Sequence, residues 1–276
     1  MDQAFERKKT EVRASHILIN VDANAAPADT LNAWNRIQAL LQRVENGEDF
    51  ETVARSKGGS EDPSVTSNGG DLGWFTAFQM VYPFENAAFT TNEGEVSKIV
   101  RTRFGYHILK VTGERKARGE VQVAHIMVRM PQDAPQDQVA NAEGRIMEVK
   151  RKLIDGASFE SMAMKYSEDP STANKGGLLP RFGTGKMVEA FENAAFAMNQ
   201  IGDITGPVRT NYGFHILKLI DKKTLPTLEE SRRELSKKVR RDSRAEITKT
   251  SFVNKLKKEY GTSVSSRRLD ALKLAA

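Results

Sequence analysis

Apolar and polar positions change period several times along the chain, and the sequence of changes occurs twice. EVRASHILI (residues 11–19) is rich in β-formers in its second half and predicts a strand carrying His16. After a loop containing Pro27, Leu31, Trp34, Ile37, Leu41 and Val44 recur at helical spacing, and Gly47 supplies the left-handed residue that closes a helix. Asp49 then caps a short helix, DFETVARS. A Gly-, Ser- and Asn-rich loop (57–70) leads into a GGDLGWF turn, a helix around 79–89, and two strands, VSKIVRT (96–102) and GYHILKV (105–111). The same order returns with a strand carrying His125 and a helix built on Val139, Ala142, Ile146, Val149 and Leu153 before Gly156. SFESMAMKYS and a closing strand with His215 follow.

The repetition extends to individual residues. NGGDLGWFTAFQMVYPFENAAF is matched by NKGGLLPRFGTGKMVEAFENAAF, at an offset of 107 residues for Phe84 and Phe191. His107 and His215 are offset by 108, and His16 and His125 by 109. All four histidines of the chain fall at these repeated positions, which points to internal duplication. Each unit reads as strand, helices, strand, strand. The fold class is therefore α+β, with an antiparallel sheet of about four strands covered by helices. The short polar join near Lys116-Ala117-Arg118-Gly119 predicts two separate cores. The expected division is a disordered tail over 1–10, one domain over 11–115 and a second over 119–222.

From Thr227 the pattern thins. Thr227 and Glu230 form a capping box, and Leu228, Leu235, Val239, Leu256 and Tyr260 make a sparse apolar stripe. A long helical segment over 226–261, broken near Asp242-Ser243, fits best, with residues 262–276 disordered. So thin a stripe must lean on a repeat, on another copy or on a missing segment. Between Pro226 and Thr262 there are eleven Lys/Arg against six Asp/Glu, so most of the formal net charge of +6 lies here. A solvated helix face is the preferred reading of that charge over nucleic-acid binding. No apolar run is long enough for a bilayer, and MDQAFERKKTEV lacks a signal-peptide core. The chain is thus expected to be cytosolic, or else a mature or excised piece of something longer. Zero cysteines exclude disulfides and thiolate chemistry.

Two histidines and an aspartate per unit suggest hydrolysis, but there is no G-x-S-x-G elbow and no cysteine nucleophile. Zinc is disfavoured because the histidines stand on separate strands about 90 residues apart, without i, i+4 pairing. GGDLGW lacks the lysine of a P-loop and the spacing of a dinucleotide fingerprint. Neither metal nor cofactor is expected.

The stretches SHILI, FETVA/FESMA, SEDPS, GGDLGWF, M-x-x-x-F-E-N-A-A-F and T-x-x-G-Y-H-I-L-K, in one order and twice, resemble those of parvulin-type peptidyl-prolyl cis–trans isomerases, which have an FKBP-like fold. The resemblance covers about three-quarters of the chain. Tandem units beside a charged helical segment are similar to the SurA group of extracytoplasmic folding factors, with PrsA- and PpiD-like proteins more distant. The resemblance implies an apolar proline pocket walled by Leu72, Met80 and Phe84 in the first unit, and by Leu179, Met187 and Phe191 in the second. It implies a polar floor of His16, Asp62, Thr102 and His107, repeated as His125, Asp169, Thr210 and His215, with Phe104 and Tyr212 at the rim. It also implies isomerisation of X–Pro bonds in unfolded or exported chains, an extracytoplasmic location, and no nucleic-acid partner. The alternative is an ATP-independent chaperone whose grooves hold unfolded chains.

The copies differ. Leu178, Pro180 and Arg181 replace Asp71, Gly73 and Trp74, so the second turn must differ, and Arg181 is expected to narrow the groove or meet acidic substrate. ARSKGGSEDPS is two residues longer than AMKYSEDPS and lacks a counterpart of Tyr166, which is expected to loosen the loop bearing Asp62. The more typical wall of the first unit makes it the slightly favoured catalyst.

Overall fold

The computed structural model describes residues 1–261; the tail expected over 262–276 lies outside them. The chain opens with α1 (Asp2–Lys8) and β1 (Thr10–Asn20), followed by α2 (Pro27–Glu45), α3 (Phe50–Arg55) and α4 (Val65–Asn68). Then come β2 (Asp71–Phe75), α5 (Tyr82–Ala88), β3 (Val100–Thr102) and β4 (Gly105–Lys116). The second unit runs β5 (Glu120–Arg129), α6 (Gln136–Ile154), α7 (Phe159–Tyr166), a 3-10 turn (Ala173–Lys175), β6 (Phe182–Gly183), α8 (Glu189–Ala197), β7 (Val208–Thr210) and β8 (Gly213–Lys223). Two further helices, α9 (Leu228–Arg241) and α10 (Ser243–Glu259), end the described chain.

Each unit is a four-stranded antiparallel sheet, ordered β2-β1-β4-β3 and β6-β5-β8-β7. The predicted GGDLGWF turn is therefore partly a strand: Arg13 faces Trp74 and Val12 faces Phe75. Its copy is cut to two residues. Pro180 has no N–H to give to a ladder, which accounts for the shortening. Each sheet carries core on both faces. Ile17, Ile19, Ile108 and the apolar face of α2 pack on one side, and Val12, Ala14, Leu109, Val111 and Phe84 on the other. The second unit repeats both clusters, and none of the four merges across the join.

Residues 2–8 are helical, not a frayed tail. The cause is Arg7, only 6% exposed, which donates to Glu85 (3.1 Å) and Asn86 (2.6 Å). Glu85 is fully buried, receives Arg244 of α10 at 2.9 Å and accepts the N–H of Phe78 at 2.7 Å. The expected break near Asp242-Ser243 is present: Asp242 ends α9 and caps α10 by accepting from the N–H of Arg244. That turn delivers Arg244 between the rings of Phe78 (4.2 Å) and Tyr82 (4.6 Å). Phe78 is the non-glycine residue with positive φ, +70°, among the described residues. Its counterpart in the second unit is Gly185, at +75°. A left-handed phenylalanine costs on the order of 1–2 kcal/mol, and its stacking against Arg244 offsets that strain.

The second unit uses the same device. Glu192, the counterpart of Glu85, accepts the N–H of Gly185 at 2.8 Å and pairs with Arg118 of the join. Arg118 also lends its N–H to Glu11 (3.0 Å), a buried carboxylate that accepts from Arg115 (2.7 Å) and from Thr184 of the second domain (2.6 Å). Polar bonds at one buried carboxylate therefore hold two separate cores against each other. Glu85→Gln leaves the buried guanidinium of Arg7 without its counter-charge and Arg244 with Asp242 alone. The expected loss is roughly 3–5 kcal/mol in urea unfolding, with α1 and α10 becoming protease-sensitive before the sheets.

Candidate active site

The histidines meet because of strand register. His16 on β1 faces Leu109 and His107 on β4 faces Leu18, so the two imidazoles are diagonal neighbours on one face of the sheet. Their Nδ1 atoms lie 3.4 Å apart and the rings are stacked, with centroids 5.6 Å apart. His125 and His215 repeat this, facing Leu217 and Met127, at the same 3.4 Å. All four are buried.

The strand of the first histidine is fixed by a glycine. The N–H of His16 donates to the carbonyl of Gly70 (2.9 Å), and a Cβ at Gly70, where φ is +91°, would stand 2.5 Å from the His16 carbonyl oxygen. Gly177 plays the same part beside His125. On the other side, the aspartate loop is pinned to the strand. Glu61 N–H donates to the Leu18 carbonyl (2.7 Å) and Ser60 Oγ accepts from the Leu18 N–H (3.1 Å). Glu168 and Ser167 do the same at Met127. These bonds bring Asp62 Oδ2 to 2.8 Å from His16 Nε2, and Asp169 Oδ2 to 2.8 Å from His125 Nε2. The two extra residues of the first loop are absorbed in a turn at Gly58-Gly59, so the loop is not loosened as expected: both His–Asp distances are equal.

The far end is a threonine in each copy. Thr102 Oγ1 lies 2.8 Å from His107 Nε2 and accepts the N–H of Phe104 (3.1 Å). Thr210 does likewise with His215 and Tyr212. With the aspartates ionised, one proton arrangement satisfies every atom. The threonine hydroxyl donates to Nε2 of the second histidine, whose Nδ1–H donates to Nδ1 of the first, whose Nε2–H donates to the carboxylate. The reverse order would aim a lone pair at the carboxylate.

Burial pushes His107 down to about 3 and His215 to about 4 from 6.5, each opposed also by the neighbouring imidazole. Burial likewise lowers His16 and His125, although Asp62 and Asp169 draw them back part of the way. Burial works against the charge of both aspartates. For Asp62, Ser64 and His16 outweigh it; for Asp169, Thr172, Ser171 and His125 do so by more. The histidines are therefore neutral at physiological pH and the carboxylates charged.

Above each pair stands one phenylalanine, edge-on to both rings. Phe84 lies 5.7 Å from His16 and 5.5 Å from His107; Phe191 lies 5.7 Å from His125 and 5.4 Å from His215. Leu72 and Met80 pack beside Phe84, and Leu179 and Met187 beside Phe191; all four are half-buried. The wall is thus a shallow apolar surface. Phe104 and Tyr212, expected at its rim, are exposed, 50% and 64%. A cleft of about 580 Å³ lies away from both clusters, where the two domains meet α9, lined in part by Phe78, Thr184, Lys223 and Arg241. Arg181 is drawn to Asp221 at 2.5 Å instead of to the groove, a correction to its expected role. The sequence reading overlooked Ser64, Ser171, Thr172, Glu85 and Glu192. The S-E-D-P-S and F-E-N-A-A-F repeats carried the signal for all but Thr172, whose counterpart is Val65.

Acid should weaken the fold through the imidazoles. Their folded values lie below the unfolded 6.5, so between about pH 6.5 and 5 the unfolded chain binds protons that the folded chain refuses. Stability falls as pH drops through that window. Urea midpoints at pH 7.5, 6.5, 5.5 and 5 should decline, and a His107→Gln, His215→Gln double variant should show a shallower decline.

Two family models, both described as PPIC-type PPIASE domain, match residues 3–116 and 125–221. "Chaperone SurA" of Chromohalobacter salexigens is 30% identical over 241 residues, 85% of this chain and 54% of that protein. "Chaperone SurA" of Methylobacillus flagellatus is 33% identical over 228 residues, 81% of this chain and 50% of that protein. The chain thus spans about half the length of these curated relatives. Among solved structures, a peptidylprolyl isomerase (PrsA) from Bacillus cereus aligns at 33% identity over 54% of this chain and 53% of that one, with a TM-score of 0.36. Both repeats match, in order, and the chain belongs to the PPIC-type, or parvulin, family of peptidyl-prolyl isomerase domains.

Proposed function

We propose that each domain rotates X–Pro bonds of unfolded polypeptides, with the apolar wall gripping the proline ring and the imidazole pair beneath the turning amide. The observation that carries this is the doubled cluster: two neutral, stacked histidines, tied to a carboxylate at one end and a threonine at the other, under one phenylalanine.

The barrier to rotation is about 18–20 kcal/mol and comes from amide resonance. No bond breaks, so no nucleophile is required. Asp62 is engaged through both oxygens: Oδ2 accepts from His16, and Oδ1 from the N–H (2.8 Å) and hydroxyl (2.7 Å) of Ser64. The twisted amide is less polar than the planar one. A half-buried surface of Leu72, Met80 and Phe84 that takes up pyrrolidine and strips its water favours the twisted form. Neutral imidazoles suit this, because a cation under the carbonyl would stabilise the planar dipole. His16, Asp62, Thr102 and His107 are the catalytic group, with Leu72, Met80, Phe84 and Phe104 binding substrate. His125, Asp169, Thr210 and His215, with Leu179, Met187, Phe191 and Tyr212, repeat the assignment.

A chaperone role is supported separately. Ile247, Phe252 and Tyr260 of the C-terminal segment are exposed, apolar and surrounded by basic residues, a surface suited to unfolded chains. The relatives named above are called chaperones, and that likeness supports our reading of a periplasmic setting with unfolded exported proteins as clients. Among the described residues no helix is long and apolar enough to cross a membrane.

His107→Ala and His215→Ala, alone and together, should each lower turnover of a proline-containing peptide in a coupled cis–trans assay, the pair by at least 100-fold. Suppression of aggregation of a denatured client should survive the double substitution. Unchanged turnover in the double variant would sink the isomerase reading.

A further inference from the structure

At the His–Asp pair the two copies are bonded alike, with one exception. Asp62 accepts from His16 and from the N–H and hydroxyl of Ser64; Asp169 accepts from His125 (2.8 Å) and from the N–H (3.0 Å) and hydroxyl (2.7 Å) of Ser171. The second copy adds Thr172. Its hydroxyl donates to Asp169 Oδ2 at 2.5 Å and lies 3.1 Å from His125 Nε2. Thr172 is 4% exposed. The same place in the first copy is held by Val65, which is 8% exposed and packs into the core with Ile17 and Phe50. Backbone differences do not explain this: Val65 N–H donates to the Asp62 carbonyl (3.1 Å) as Thr172 N–H does to that of Asp169 (3.3 Å). Valine and threonine have nearly one shape, so the copies differ here by a hydroxyl for a methyl.

We propose that Thr172 is a positioning residue of the second site, closing a hydrogen-bonded ring with Asp169 and His125 that holds the His125 imidazole in one plane and one tautomer, and that Val65 leaves the first site without this restraint. The ring works through geometry. A carboxylate oxygen receiving one N–H can let the imidazole tilt about that bond. When the same oxygen receives a second donor, and that donor's oxygen also stands within reach of Nε2, tilting in either direction lengthens one of three short contacts. The restraint passes to His215 through the Nδ1 to Nδ1 contact, and from there to Thr210. Thr172 does not line the apolar wall, so its effect belongs in turnover and not in substrate affinity.

The proposal rests on reading both clusters as isomerase sites, and the test keeps the two apart. In the chain of residues 1–276 with the first site silenced by His107→Ala, Thr172→Val should lower kcat roughly two- to tenfold, the worth of one hydrogen bond, with KM unchanged. Thr172→Ser, which keeps the hydroxyl, should restore it. With the second site silenced by His215→Ala, Val65→Thr should raise kcat of the first. Independently of turnover, loss of one donor must raise the Asp169 titration midpoint. The carboxyl-carbon NMR signal should titrate at higher pH in Thr172→Val than in the parent, and the acid limb of second-site activity should move up with it. An unmoved carboxyl titration, or a Thr172→Ser variant as slow as Thr172→Val, overturns the proposal. If the silencing substitutions themselves leave turnover intact, the isomerase reading has failed, and the carboxyl titration alone decides for or against the ring. Should Thr172→Val fail to fold, the ring stands if Val65→Thr speeds the first site and Thr172→Ser keeps parental turnover, and falls if either does not.

Discussion

The register between the first and last strand of each domain is the constraint on which everything else depends. His16 opposite Leu109 and His107 opposite Leu18 put both imidazoles on one face; a slip of one residue would send one of them to the helix α2 side. The register is defended in several ways. Ile17, Ile19 and Ile108 are completely buried on the opposite face, so a slip would exchange them for the histidines. Each ladder also carries an irregularity at the same place, between Arg13 and Ala14 and between Gln122 and Val123. The extra residue lies on the last strand in each case, Thr112 and Ile220, so alternation on the first strand runs unbroken and places Val12 and Val121 in the core with Phe84 and Phe191.

A second constraint links pocket to surroundings. In each F-E-N-A-A-F segment the phenylalanine stands over the imidazoles, and the glutamate beside it points the other way to collect an arginine from outside the sheet. Glu192 takes Arg118 from the join, and Glu85 takes Arg7 and Arg244 from the two ends of the described chain. Phe78 shows how far the first domain departs from its copy to accept α10. Where the second domain keeps Gly185, the first holds a phenylalanine in a left-handed conformation and stacks Arg244 on its ring. The same helix that sets Phe84 over the imidazoles is therefore the anchor for the basic C-terminal helices.

Much of this was legible in the sequence because it was written twice. The four histidines, the aspartates and the wall residues all lie at matched offsets, and the structure gathers them into two clusters of the same dimensions. Helix ends were legible where a side chain sets them: Asp49 accepts from Thr52, and Thr227 with Glu230 completes the capping box. What could not be read was long-range polarity. Nothing local marks Arg7 as the reason that residues 2–8 are ordered, because its partner lies 78 residues away. Arg181 looked free to meet substrate for the same reason: Asp221, which holds it, is 40 residues distant. The strand at 71–75 was hidden by Gly73 and by Gly69 and Gly70 before it, which read as a turn until the pairing with β1 is seen.

Differences between the copies gather at the edge strand and in the aspartate loop, and of those named here only Thr172 reaches an imidazole, lying 3.1 Å from His125 Nε2. Pro180 shortens an edge strand, Arg181 replaces the tryptophan that otherwise stacks on Arg115 at 3.9 Å, and Val65 stands where Thr172 bonds to the aspartate. The edge changes are compatible with an unchanged cluster because β6 joins the sheet on the far side of β5 from β8, and the His125–His215 contact depends only on the inner pair. The wall is less insulated, since Leu179 follows directly on Leu178 and leads into Pro180. The two domains thus share one floor on a common pair of inner strands, while the outer strand and the aspartate loop were free to diverge. That separation follows from the sheet order itself, in which the strands carrying the histidines are central and those carrying the variation are at the edge.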